Sequence, residues 1–176
     1  MKNNPTLLAI ITTIAVSFSA AAQQPDAAAI ADAMHDPQPD GDEVRLINPE
    51  QRLTAHVGPD AIATLRSGEA TLVLQVQDSG EGASVVLGDD GLTINDTVYT
   101  QHWLNTVRGL EHLIEVFDPE TTSITVNVEG LVPYLDTEDA VVLRDDEGNE
   151  AMRYGGLAVF DARSQRQTAW FEAAKT

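Results

Sequence analysis

The chain has 176 residues, with 28 acidic and 10 basic side chains, a formal charge of −18 and no cysteine. The acidity argues against a nucleic-acid ligand or an anionic membrane surface, since both must be met by clustered Lys and Arg. The missing thiol excludes disulfides, thiolate catalysis, Cys-ligated zinc and a lipid-modified N-terminal cysteine.

From the N-terminus, Lys2 precedes the apolar run Leu7 to Val16, and the small residues Ser19-Ala20-Ala21-Ala22 follow. This is the layout of a secretory signal peptide cut after Ala22. The run is shorter than the roughly 20 apolar residues of a membrane span, and two threonines interrupt it. Removing residues 1–22 takes away one base and no acid, so the mature charge becomes −19. The expectation is an exported chain without a membrane span, bound for the periplasm, the cell surface or the medium. Many small exported domains rely on disulfides; this one must rely on packing. Residues 23–43 are rich in Ala, Asp, Gln and Pro and poor in large apolar groups. They read as a flexible leader, with at most a helical turn or two over Ala27 to Met34 capped by Asp26. Residues 44–176 have the length of one domain and can bury a core without a staple.

Beyond the leader the hydrophobic period is two. Leu53, Ala55 and Val57 alternate with Thr54 and His56; Ala70, Leu72, Leu74 and Val76 with Thr71, Val73 and Gln75; Ile124, Val126 and Val128 with Thr125 and Asn127. Successive side chains of a strand point to opposite faces, so each run predicts one buried and one wetter face. Turn chemistry separates the runs at Ser79 to Gly82, Asp89-Asp90-Gly91, Asp118-Pro119-Glu120, Asp145 to Asn149 and Gly155-Gly156. Short strands spaced by turns predict an all-β, antiparallel β-sandwich behind the signal peptide and leader. The nearest approach to a helical period, His102 to Leu113, is interrupted by Gly109.

The acidic turns Gly88 to Gly91 and Asp145 to Glu150 carry enough oxygens to suggest calcium, but neither fits the EF-hand loop, and both read as hairpin turns with exposed acids. His112 shares its strand face with Leu110, Ile114 and Val116, which predicts a hydrogen-bonded core histidine; Glu111 and Glu115 take the other face. No zincin, nucleophile-elbow, phosphate-loop or dinucleotide motif occurs. Tyr99, Trp103, Tyr134, Tyr154, Phe160, Trp170 and Phe171 either fill the core or line a sugar-stacking platform, and the core is the commoner place for such rings.

Two segments carry a resemblance. One runs from Tyr99 through Trp103 and Asn105 to Arg108-Gly109-Leu110-Glu111-His112; the other is Arg153-Tyr154-Gly155-Gly156-Leu157 through Asp161-Ala162, followed by Ala169-Trp170-Phe171. Together, over about residues 45–172, the chain resembles the β-rich N-terminal module of large exported bacterial proteins that continue into FG-GAP (integrin-α-like) repeats. His112 stands where that module usually has glutamine, and Ser164 where it has a turn glycine. The resemblance implies a cell-surface setting and no named catalytic role. It marks Tyr99, Trp103, Asn105, Arg108 and Glu111 as candidate binding residues, and Gly109, Leu110, Arg153, Tyr154, Gly156 and Asp161 as its structural motif. Glu111 is expected to pair with Arg108 or Arg153. The family module adds a final strand that this sequence does not reach by Thr176, so the expectation is a stand-alone version, a truncated reading frame, or a form whose exposed edge is completed by another chain.

The function expected is an exported, non-enzymatic β-sandwich module for cell-surface or extracellular binding, with a protein or glycan partner and no cofactor or metal. A carbohydrate-binding module or small glycan-active enzyme is the first alternative, requiring Trp103 or Tyr99 exposed beside Glu111. A calcium-dependent structural protein is the second.

Overall fold

Period-two patterning builds an all-β sandwich. The computed structural model describes residues 11–17, 37–77, 79–80, 82–88, 91–106, 109–118, 121, 123–160 and 165–172, the first of these segments by its backbone alone. One sheet contains β1 (Ile11–Ser17), β7 (Ser84–Leu87), β8 (Gly91–Asn95), β9 (Tyr99–Thr106), β10 (Gly109–Val116), β12 (Val132–Thr137), β13 (Ala140–Arg144), β14 (Glu150–Phe160) and β15 (Arg166–Gln167). Its order is β12-β13-β14-β1-β10-β9-β8-β7, with the short β15 beside the end of β14. The other contains β2 (Gln38–Asp40), β3 (Glu43–Asn48), β4 (Leu53–Val57), β5 (Ile62–Ser67), β6 (Ala70–Val76) and β11 (Val126–Glu129), in the order β11-β6-β5-β4-β3-β2. Every pairing among the described residues is antiparallel.

The buried residues alternate along β3, β4, β6 and β10 as the pattern requires, while Ala140 to Leu143 of β13 are buried consecutively. Leu46, Leu53, Ala55, Leu65, Leu72 and Leu74 of the smaller sheet form one core with Leu92, Ile94, Trp103, Leu110, Leu143 and Met152 of the larger. A satellite of Val76, Tyr99, Ile114 and Val116 closes one end. The segment nearest to a helical period is the β9–β10 hairpin, in which Thr106 pairs with Gly109 and the glycine takes φ +131°.

The expected glycine turn at Gly155-Gly156 is instead a bulge inside β14. Gly156 has φ +79°, and the amides of Gly156 and Leu157 both donate to the carbonyl of Asp139. Two residues then oppose one, a local irregularity that a residue without Cβ accommodates. The sandwich also starts earlier than residue 44: Gln38–Asp40, within the expected leader, pairs with β3 as an edge strand. The possible helical turn at 27–34 lies outside the described residues.

The apolar run of the expected signal peptide contributes β1. Ile11–Ser17 lies between β10 and β14 and pairs antiparallel with each, so these two flanking strands run parallel to one another. Ile11–Ser17 thus fills an internal position of the larger sheet.

Candidate functional site

The candidate residues of the first motif are carried by β9 and β10. Alternation puts Gln101, Trp103 and Asn105 on the core side of β9, and Leu110, His112 and Ile114 on the core side of β10. His112 and Trp103 are direct cross-strand partners, and their rings stack with centroids 4.1 Å apart and planes 12° from parallel. Tyr154 reaches the same spot from β14, the other neighbour of β1. Its hydroxyl lies 3.2 Å from His112 Nδ1, while Gln101 Oε1 lies 2.9 Å from Nε2.

These distances assign the proton. An amide oxygen only accepts, so Nε2–H donates to Gln101, leaving Nδ1 to accept from the Tyr154 hydroxyl. Burial, assisted by the nearby His102, pushes the His112 pKa down to about 3, so the ring is neutral. Burial pushes the Tyr154 phenol up. Both groups are thus held uncharged, and the expected hydrogen-bonded core histidine is what the geometry shows. Among the described residues, three buried donors are without a partner, and two of them, Gln101 Nε2 and Trp103 Nε1, lie here; the third is Arg45 Nε.

Asn105 works as a clamp between the sheets. Its amide donates to the Ile47 carbonyl at 2.9 Å, and its oxygen accepts from Asn48 Nδ2 at 2.9 Å. Asn48 Nδ2 also reaches the Thr106 carbonyl, and Asn48 Oδ1 accepts from the Gln51 amide. Both asparagines are fully buried, so their polar groups are matched pairwise across the sandwich.

Tyr99 and Trp103 lie in the core, the commoner place for such rings, and do not form the platform that the glycan-binding alternative required. Trp103 is 1% and Tyr99 8% exposed, so neither offers a face to solvent. Glu111 faces away from the core on β10 and is half-buried. Its expected partner Arg153 is engaged elsewhere, with Glu150 at 3.4 Å and, across the intervening β13, with Asp136 of β12. Arg108 and Asp161 lie outside the described residues. Of the structural motif, Leu110 and Tyr154 are buried, Gly109 closes the hairpin and Gly156 makes the bulge.

The acidic turn at Asp145 is used internally. Its carboxylate accepts from the amides of Glu147 at 3.0 Å and Asn149 at 2.8 Å, and these hydrogen bonds, led by that from Asn149, hold its pKa below the usual carboxylate range. Among the described residues, no three acidic or histidine side chains gather in a geometry for a metal ion.

An apolar patch that the alternation did not single out lies on β12, at the edge of the larger sheet. Val132 (46% exposed) and Tyr134 (51%) point outward, and the Arg144 guanidinium sits 5.3 Å from the centre of the Tyr134 ring. Pro133, between them, has no amide proton and blunts the strand edge itself. The sequence signal was available: two apolar residues alternating around a proline in an otherwise acidic chain. Searches with protein-family models, against curated proteins and against solved structures found no match for the chain.

Proposed function

We propose that this protein is an exported, non-enzymatic β-sandwich module that binds a macromolecular partner at the cell surface or outside the cell. The outward face of β12 carries this reading. Large apolar side chains contiguous on a surface mark interaction sites, and tyrosine beside arginine is the pairing enriched at binding hot spots. Val132, Tyr134 and Arg144 supply that combination on the paired strands β12 and β13, whereas much of the remaining surface is acidic. The leader sequence and the resemblance to the FG-GAP-associated module support the exported setting. The test is binding of the purified chain from Gln23 onward to intact cells of its producing organism and to their extracellular material. Saturable retention that falls at least about tenfold in a Val132→Ser/Tyr134→Ser variant with an unchanged melting curve is expected; equal retention of both proteins would overturn the proposal.

A further inference from the structure

We infer that the strand position between β10 and β14 is an acceptor site for an extended apolar segment of another polypeptide. The inference rests on the export reading, because cleavage after Ala22 removes the strand that occupies the position here. Ile11–Ser17 hydrogen-bonds on both sides, with Val16 opposite Leu110 and Tyr154, Ile14 opposite His112, and Thr12 opposite Ile114 and Val159. Without it, two lines of backbone donors and acceptors would lie about 9.5 Å apart, twice the spacing of neighbouring strands. Closing that gap would join β10 to β14 as a parallel pair in a sandwich that otherwise pairs antiparallel, and would displace the His112–Tyr154 contact that spans it.

The occupant's chemistry follows from the strand seated there. It is about seven residues long, antiparallel to both neighbours, and apolar at the register positions opposite Leu110 and His112, with a threonine opposite Ile114; those three partners are buried. A second copy of the mature chain is a poor donor. Its apolar runs with period two are already used in β3 to β14, and residues 23–36 hold only Ile30 and Met34 as large apolar side chains. An extended segment from a different exported polypeptide fits, since backbone pairing on both sides supplies affinity and alternate side chains supply specificity.

The test uses the full chain with a protease site inserted between Pro25 and Asp26. After folding and cutting, a labelled peptide of residues 9–19 is added in excess. Exchange of the label into the chain is expected, together with a melting temperature at least about 5 °C above that of cut chain stripped of its own strand. An Ile14→Asp peptide is expected to exchange at least about tenfold less. Refusal of the wild-type peptide, equal uptake of the Asp peptide, or dimerisation of the stripped chain in place of peptide uptake would overturn the acceptor site. The export reading has its own readout, the N-terminal residue of the chain recovered after export. Gln23 supports it; retention of residues 11–17 would overturn it and leave the position permanently filled, whatever the peptide does.

Discussion

His112 on β10 and Tyr154 on β14 touch through a 3.2 Å hydrogen bond although their strands do not pair, because β1 separates them. Two long side chains meet on the core side of the intervening strand and tie the two halves of the larger sheet together. The contact requires an uncharged imidazole, since desolvation in the sandwich interior disfavours the cation.

That requirement sets a pH dependence. The His112 pKa falls from its ordinary value of 6.5 to about 3 in the folded chain, so between those values the unfolded state binds a proton that the folded state does not. Stability from this group is complete above about pH 6.5 and is lost as pH falls toward 3. At pH 5 the loss is about 2 kcal/mol relative to pH 7.5. Urea unfolding of the full chain at both values, compared with His112→Gln, is expected to show that increment in the wild type and not in the variant; identical pH profiles would refute the assignment.

The Asn48–Asn105 pair is expected to be strongly coupled. Asn105→Leu leaves the Asn48 amide and the Ile47 carbonyl short of a partner inside the sandwich, at a cost of about 1–3 kcal/mol. Asn48→Leu is expected to cost a similar amount, and the double variant less than the two together. Additive losses in a double-mutant cycle would show that the two side chains act independently.

Gly91 is fixed by a close approach. A Cβ there would stand 1.9 Å from the Trp103 carbonyl oxygen, at the first pair of the β8–β9 ladder. Gly91→Ala must therefore separate two backbones, with an expected loss of more than about 2 kcal/mol. Gly148→Ala provides the contrast, because its Cβ meets nothing within 4 Å. Its cost comes from the backbone, which holds φ +87°, so its near-ultraviolet circular dichroism is expected to stay native while that of Gly91→Ala loses the Trp103 signal.

Arg153 joins Asp136 and Glu150 on the outer face of the larger sheet, where solvent screens the charges. Arg153→Met is expected to change stability by no more than about 1 kcal/mol, and the difference should shrink in 1 M salt. A loss of several kcal/mol, insensitive to salt, would mean that the guanidinium has a buried role.

The all-β class was legible because each strand must bury one face. Leu72, Leu74 and Val76, or Leu110, His112 and Ile114, report their orientation through spacing alone. The same rule placed His112 in the core. Spacing was silent on what each buried polar group would meet: Asn48 and Asn105 are 57 residues apart, and nothing local marks them as partners. Tyr99 and Trp103 took the core place expected of most rings, and the platform required by the glycan alternative did not form from them, for the same kind of reason. A ring on a period-two strand can serve either face, and the second sheet covers the face these two occupy.

The sequence alone determined the acidity and the two-faced strands, since these depend on composition and on the two-residue repeat of the extended backbone. The tertiary structure decided which strands became neighbours. It turned Gly155-Gly156 from a turn into a bulge, drew Arg153 to Asp136, and seated Ile11–Ser17 between β10 and β14. Each of these depends on pairing between distant segments, and strand pairing is settled by how the whole sheet distributes its hydrogen bonds, which no short stretch of chain encodes.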